Sequence, residues 1–557
     1  MMPNRIPGRL RTENHDAGRD AGDGCFVDAL VVGGGLVGLA AAAFLAQQGV
    51  SVVLAERHRS TSLHPKARLV TVRSMEIYRS LGVEDEIRSA GEPNGGFAVG
   101  DSLADEHESW IPPAGGGAPA VRLSPVDPYS CDQQRIEPIL CNRAEELGAR
   151  LLFGTEVVDV DEDAHGVSAR LSRDGADSGL RARFVIAADG AHSQIRRLAG
   201  IELIGRPVPG TAVSALFRAD LDPALRGRHV DGFMARSAEA FLFARGNVDD
   251  RLWQLGTHIR PEWRLPDDGE GRIEESALMS RLGDVIRAAT GLPEIEPRIE
   301  DVLTWSTGAW IASKVRRGRI LFVGDAAHQM PPYGGFGGNT GVHDAHNLAW
   351  KIAAVCRGEA SPGLLDTYET ERIPIMRLMI AQTLLRSAKT PGQPAPPDQV
   401  DSTTLSLGFV YPGDADSPDT ASDDATPIDP RVEDPATPSG RPGTRAPHVE
   451  LTCSGSEDRL RTVSTLDLLD PTGFTLVTAT GSVIAEALRR DPVPGITLQV
   501  VDEVADGSQG IWESAYSGSG RQALLIRPDQ VIVDSVPTGA ADPRARVSAA
   551  RDRALRS

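Results

Sequence analysis

FVDALVVGGGLVGLAAAAFLAQQGVSVVLAE, residues 26–56, is the stretch whose reading decides the fold. Phe26–Val32 is a short apolar run, the pattern of a buried strand. Leu39–Gln48 is alanine-rich and helical, and Gly49 stops it. Val50–Ala55 is a second strand, so the stretch forms a βαβ unit. Gly33-x-Gly35-x-x-Gly38 lies between the first strand and the helix. Gly33 permits a tight turn. Gly35 lets the backbone approach a pyrophosphate seated on the helix N-terminus, and Gly38 allows close helix–strand packing. Glu56, 18 residues after Gly38, can bind ribose hydroxyls. Arg57 beside it is counted with the cofactor-binding set. Strand, helix, strand and acid in register read as a dinucleotide site; the alternative is a glycine-rich turn without a ligand. No second fingerprint occurs. Gly115–Gly117 lies in a Pro-Gly loop, and Gly518 and Gly520 lack a third glycine and a following helix. One nucleotide is therefore held permanently, and any second one binds without a Rossmann domain of its own.

The 557 residues suggest about two to four domains. A net charge of −19 argues against nucleic acid and against an anionic membrane surface as partners. The five cysteines are scattered, with no C-x-x-C pair, which does not read as a disulfide framework or a zinc site. No metal is expected, and a reducing cytoplasm fits best. No apolar run of about 18 residues is present, so no transmembrane helix is expected. Residues 1–26 carry Arg5, Arg9, Arg11, Asp16 and Asp20 without an apolar core; they read as a disordered leader, not a secretory signal.

Further along, Arg183–Ala188 is a buried strand that enters the turn Asp189-Gly190, and Arg319–Val323 is another. Between about 205 and 300, alternating segments such as Val213–Phe217 and Trp253–Ile259 predict antiparallel sheet. Asn339–Cys356 is helical, as is Leu364–Ile380, with a kink expected at Pro374. Residues 391–442 are rich in Pro, Asp, Ser and Thr and read as linker. Strand and helix patterns return from Arg445, as a separate domain.

Three motifs follow the fingerprint in order: Asp189-Gly-Ala-His-Ser-Gln-Ile-Arg196, Gly324-Asp325-Ala-Ala-His328, and Pro331-Pro332-Tyr-Gly-Gly-Phe-Gly337-Gly338-Asn339-Thr340. Together they resemble the class A flavoprotein monooxygenases, the group of para-hydroxybenzoate hydroxylase, over about residues 27–385. The string PPYGGFGGNTGVHDAHNLAWKI, with Ser464–Leu468 and Ile526–Asp529, is similar to the hydroxylases of aromatic polyketide biosynthesis, of the tetracenomycin, anthracycline and angucycline kind. The resemblance implies an α/β fold. A doubly wound, Rossmann-like FAD-binding domain would comprise 27–100, 130–205 and 305–385. An inserted antiparallel-sheet substrate domain would comprise 100–130 and 205–300. A thioredoxin-like C-terminal domain would span 445–557. It lacks a C-x-x-C pair, having only Cys453, and is expected to serve packing or assembly.

The same resemblance implies roles. Asp325 would bond the ribityl chain or a ribose of FAD. Asp189 would serve the FAD pyrophosphate and NAD(P)H, or would be a turn and N-cap residue. Arg196 would reach a phosphate or lie on a helix surface. Pro332 would lie beside the isoalloxazine. Gly337, Gly338 and Asn339 would offer backbone N–H groups to the flavin pyrimidine edge. Gln133 matches a flavin-contacting glutamine, with Gln134 one residue away as the other register. Many relatives carry arginine where this chain has Lys66; Lys66 or Arg68 would meet the FAD pyrophosphate or help receive NAD(P)H. His328 and His343 read as structural sooner than as proton carriers. The implied activity is hydroxylation of a polycyclic aromatic phenol or quinone through a flavin C4a-hydroperoxide. Dioxygen is the oxidant and NAD(P)H the reductant, with NADPH favoured. The protein would be a monomer or homodimer. Baeyer–Villiger insertion, epoxidation and flavin binding without oxygenase activity are the alternatives.

Overall fold

Phe26–Val32 becomes a central strand of an eight-stranded sheet in the computed structural model. It pairs in parallel with Ala176–Ala187 on one side and Val52–Glu56 on the other. Arg150–Phe153 and Ile320–Phe322 continue the parallel order outward. Strands of this kind are covered on both faces, which is why they read as continuous apolar runs without alternation. The structure describes residues 26–62, 66–95, 97–105, 109–111, 122–228, 230–245, 251–260, 263, 274–387, 396–412, 432–454, 460–505, 507–518, 521–537 and 539–556. The leader, the Gly115–Gly117 loop and much of the linker (391–395 and 413–431) lie outside them.

Six helices matter below: α1 (Leu36–Gln47), α2 (Val72–Leu81), α3 (Gln133–Glu146), α4 (Glu275–Thr290), α5 (Phe336–Cys356) and α6 (Asp366–Ser387). The fingerprint glycines are required sterically. Gly33 has φ +107°, and a Cβ there would stand 2.4 Å from the Ala188 carbonyl oxygen. A Cβ at Gly38 would stand 1.9 Å from the Gly33 carbonyl oxygen. One at Gly341 would stand 2.5 Å from Val37 Cγ2, so α5 meets α1 as closely as backbone allows. Three motifs far apart in sequence thus converge on the first turn of α1.

A second eight-stranded sheet runs in the order His328–Gln329, Arg298–Ala312, Leu203–Arg218, Leu252–His258, Ala240–Arg245, Gly232–Ala235, Phe97–Gly100, Ser109–Ile111. Val213, Ala215, Phe217, Leu242 and Leu255 pack with Ile286 of α4 beneath one face. This sheet outruns the boundaries read from sequence. Arg298–Ala312 pairs along nearly the whole of Leu203–Arg218, so the inserted sheet ends at 312 and not at 300. At its other edge it takes in Phe97–Gly100. Tyr129–Ser130 belongs instead to a small sheet with Leu69–Val70 and Glu92–Pro93.

The C-terminal residues form a four-stranded sheet in the order Ile496–Val501, Phe474–Ala479, Arg521–Ile526, Ile532–Pro537. Its first pair is parallel and the others antiparallel. Part of the expected linker is built structure. Leu405, Phe409 and Tyr411 are buried with Phe336 of α5, Ile375 of α6 and Val531. The Pro-rich composition concealed these apolar residues. α6 continues through Pro374, and α5 begins at Phe336, three residues before the predicted start.

The glycine crossing yields a stability prediction. Gly38→Ala drives a methyl group into the Gly33 carbonyl and should cost roughly 1–3 kcal/mol, the usual cost of overpacking. Thermal denaturation of the flavin-free protein checks this; an unchanged Tm would show that the turn relaxes freely.

Candidate active site

The fingerprint turn, the Asp189 turn and the Gly324–Ala326 3-10 turn surround the N-terminus of α1. Gly35 caps α1 with no side chain, and a Cβ there would meet nothing nearer than Glu137 Oε1 at 3.9 Å. The backbone is therefore open to a ligand at the point where the helix dipole is positive. Glu56 accepts from the Gly34 N–H at 2.6 Å and from the His58 N–H at 2.8 Å. Arg57 beside it is exposed.

Asp189 Oδ2 accepts from the Ile195 N–H at 3.0 Å, which is the turn role. Its Oδ1 is buried and has no partner among the described residues. Asp325 is reached by solvent but lies among protein atoms, and this burial pushes its pKa up; the charges of His328 and Lys66 oppose the shift. It is a carboxyl group in a concavity, facing an exposed lysine.

Two arginines are committed elsewhere. Arg68 donates to Asp132 Oδ1 at 3.2 Å and to Glu92, with its side chain 10% exposed, so an acidic cluster already engages it. Of the two cations in that segment, Lys66 is the one left facing Asp325. Arg196 is buried and does not lie on a helix surface. It donates to the Ala326 carbonyl at 2.9 Å and the Ala191 carbonyl at 3.2 Å, binding the Asp189 and Asp325 turns to each other.

Gln133 donates to Glu137 Oε1 at 2.7 Å, and its backbone N–H donates to the Ala67 carbonyl at 2.9 Å. Gln134 has a buried Oε1 without a partner among the described residues. Glu137 was not singled out in the sequence. It is buried, and that burial pushes its pKa up against the Gln133 bond and the Ser62 and Leu36 N–H groups. A carboxylate four residues after Gln133, on the same helix face, was the available signal.

Gly335, in the left-handed region at φ +67°, caps α5. Its own N–H bonds the Pro332 carbonyl at 3.1 Å. The unsatisfied N–H groups of the first turn belong to Phe336, Gly337 and Gly338. Asn339 is the first residue whose N–H has an acceptor within the helix, which corrects its expected part as a backbone donor. Its side chain donates to the Leu69 carbonyl at 2.9 Å and accepts from the Thr71 N–H at 3.0 Å. Asn339 thus ties the segment after Arg68 to α5. Pro332 is exposed just before this helix.

His328 is fully buried, with Nε2 2.7 Å from Asp344 Oδ2. His343 Nε2 lies 3.0 Å from Ser74 Oγ, and burial holds its pKa well below the ordinary value. His328 is shut off from solvent, which is the structural role, whereas His343 keeps partial exposure.

The inserted sheet faces this region with aromatic rings. Tyr333, in the Pro332–Gly338 loop, stands edge-on to Phe241 with ring centroids 6.3 Å apart. Phe241 stacks with Phe243 at 6.4 Å, and Phe243 meets Phe97 edge-on at 5.4 Å. Cross-strand pairing puts Phe241, Gly256, Ser214 and Leu303 in one row on this face. A Cβ on Gly256 would meet nothing within 4 Å, so the row has a hollow at its middle. Leu303 and Trp305 are exposed at the end of the same face. The alternating Phe-Leu-Phe at 241–243 was the readable signal for this wall.

Residues 26–383 match the family described as FAD binding domain, and residues 439–555 match the aromatic-ring hydroxylase C-terminal family. The chain is 37% identical to a 4-methyl-5-nitrocatechol 5-monooxygenase of Burkholderia sp, covering 94% of this chain and 96% of that protein. It is 33% identical to the tetracenomycin A2 monooxygenase-dioxygenase of Streptomyces glaucescens, over 90% and 92%. A crystal structure of aklavinone-11 hydroxylase with FAD and aklavinone superposes with a TM-score of 0.80 at 30% identity, over 95% and 99%. The match runs through both the α1 fingerprint and the C-terminal sheet, and the chain belongs to the FAD-binding aromatic-ring hydroxylases: it is a flavoprotein monooxygenase.

Proposed function

We propose that the protein hydroxylates a flat polycyclic aromatic phenol or quinone, with NAD(P)H and dioxygen as co-substrates. The observation that carries this reading is the aromatic and apolar face opposite Tyr333. From the Phe241 strand to the Trp305 strand it spans three strand spacings, about 14 Å. That is room for several fused rings, where a single-ring catechol fills only part of it.

The residues fit FAD. The α1 N-terminus and Lys66 would hold the pyrophosphate, with Gly33, Gly35 and Gly38 allowing the approach. Glu56 would take the adenosine ribose, Asp325 the ribityl hydroxyls, and Asp189 Oδ1 a further hydroxyl. Gln133 and the Gly337 and Gly338 N–H groups would face the flavin ring, with Pro332 beside it. When bound, the flavin supplies electron transfer from NAD(P)H and delivery of one oxygen atom from dioxygen to the substrate. The protein's part is orientation by the aromatic wall, exclusion of water, and a positive helix end for the charge that reduction places on the ring. The order of the C-terminal strands, one parallel pair followed by an antiparallel hairpin, supports a thioredoxin-like domain, and Cys453 as its only cysteine makes a disulfide exchange role unsuitable.

The test is to load the purified protein with FAD and follow NADPH and NADH oxidation with tetracyclic phenols and with single-ring catechols. A polycycle that gains one oxygen atom supports the proposal. Oxidation driven by catechols alone would refute the polycyclic assignment. Gly256→Leu should fill the hollow and raise KM for the polycycle by roughly ten- to a hundredfold, with FAD affinity unchanged. Equal kinetics would remove that face from the substrate site. Asp325→Ala should weaken FAD binding by roughly ten- to a hundredfold, the loss of one charge-assisted hydrogen bond. An unchanged titration would leave Asp325 as a turn residue. In Gly338→Asp, a carboxylate at the α5 N-terminus should lower the flavin midpoint potential by roughly 20–40 mV. A redox titration giving an unchanged or raised potential would refute the helix-end role.

A further inference from the structure

A continuous set of buried polar contacts runs from the C-terminal domain to the turn that carries Asp325. It starts at Tyr411, a buried residue whose backbone N–H donates to the Gly443 carbonyl at 2.9 Å. Gly443 in turn donates to the Ile532 carbonyl at 2.9 Å, so the C-terminal sheet sets where Tyr411 stands. Arg527, just after the strand Arg521–Ile526 of that sheet, lies over the Tyr411 ring, 5.5 Å from its centroid. The Tyr411 hydroxyl accepts from Arg372 of α6 at 3.2 Å. Arg372 also donates to Asp344 Oδ1 at 2.8 Å and to the Thr340 carbonyl, in the early part of α5, at 3.2 Å. Asp344 Oδ2 accepts from the Gly324 N–H at 3.2 Å and from His328 at 2.7 Å. Gly324 is the residue before Asp325. The side chains of Tyr411, Arg372, Asp344 and His328 are buried, and a buried charge fixed at one end constrains the groups that satisfy it at the other.

We propose that the C-terminal domain is a positioning element of the flavin site, acting through Tyr411, Arg372 and Asp344 on the Gly324–Asp325 turn and the start of α5. The domain has no need of a thiol for this. Its contribution is to seat Tyr411 of the preceding segment, whose hydroxyl holds Arg372 in the rotamer that aligns Asp344. The inference rests on the reading that FAD seats against Asp325 and α5.

The test uses the full-length protein and FAD. Tyr411→Phe removes only the hydroxyl and should weaken FAD binding by roughly three- to tenfold, one hydrogen bond's worth. Asp344→Asn should weaken it further, and adding Tyr411→Phe to Asp344→Asn should have little additional effect, since the two act in series. Arg79→Gln is the control. It removes the part-exposed ion pair between α2 and Asp467 of the C-terminal region, away from this set, and should leave FAD affinity unchanged. Flavin-free Tm, measured alongside, separates domain loosening from positioning. Tyr411→Phe with wild-type FAD affinity would overturn the inference. So would equal losses in Tyr411→Phe and Arg79→Gln. Additive losses in the double variant would overturn the series arrangement. If Asp344→Asn does not fold, the Tyr411→Phe and Arg79→Gln comparison decides alone. Failure of the wild-type protein to bind FAD would instead refute the reading of the site itself.

Discussion

Everything in the cofactor region depends on one steric constraint, the contact of Gly38 with the Gly33 carbonyl and of Gly33 with the Ala188 carbonyl. It brings α1 down onto the sheet and places the Asp189 turn against the α1 N-terminus. Val37, one residue earlier, then receives Gly324 and Gly341, which fixes the Asp325 turn and α5 on the other side. Four chain segments share one small volume because Gly33, Gly38, Gly324 and Gly341 each lack the Cβ that would collide with a neighbour there. Backbone N–H groups that would otherwise be shielded by side chains are left facing a common cleft.

Around that backbone frame the protein encloses a cluster of paired ions. Asp344, Glu371, Lys351, Arg372 and Arg527 are all inside, and each is matched by a partner. Neighbouring guanidinium and ammonium groups more than offset burial and hold Glu371 below the ordinary carboxylate range; Arg372 and His328 do the same for Asp344, to about 2. Such pairs contribute little net stability after desolvation, and breaking one is costly. Their effect is geometric: they admit one arrangement of α5, α6 and the C-terminal sheet. This is why a domain without a redox pair can still matter to the flavin site.

The inserted sheet follows a different logic. One face is closed by α4, and the other carries the rings of Phe241 and Phe243 and the hollow at Gly256. Strand alternation delivers both faces from one sequence. The strand Arg298–Ala312 leads out of this sheet toward Ile320–Phe322 and the Asp325 turn, and the short strand His328–Gln329 pairs back onto it, so the wall and the cofactor cleft cannot shift independently.

The local patterns of the sequence determined the βαβ unit, the glycine requirement, the later strand–turn motifs and the family, because strand runs, turn glycines and their spacings are short-range properties. Only the tertiary structure decided what each polar side chain does. Arg68 and Lys66 are equivalent candidates in sequence, yet Asp132 and Glu92, far along the chain, claim the first and leave the second facing Asp325. Arg196 looked equally suited to a phosphate or a surface and is buried between two turns. Leu405, Phe409 and Tyr411 looked like linker, since a Pro-rich composition hides apolar residues whose partners lie on α5 and α6. The sheet boundary at Ala312 was likewise set by a strand about a hundred residues earlier. A side chain's role depends on which distant groups reach it first, and that competition is settled only when the chain has folded.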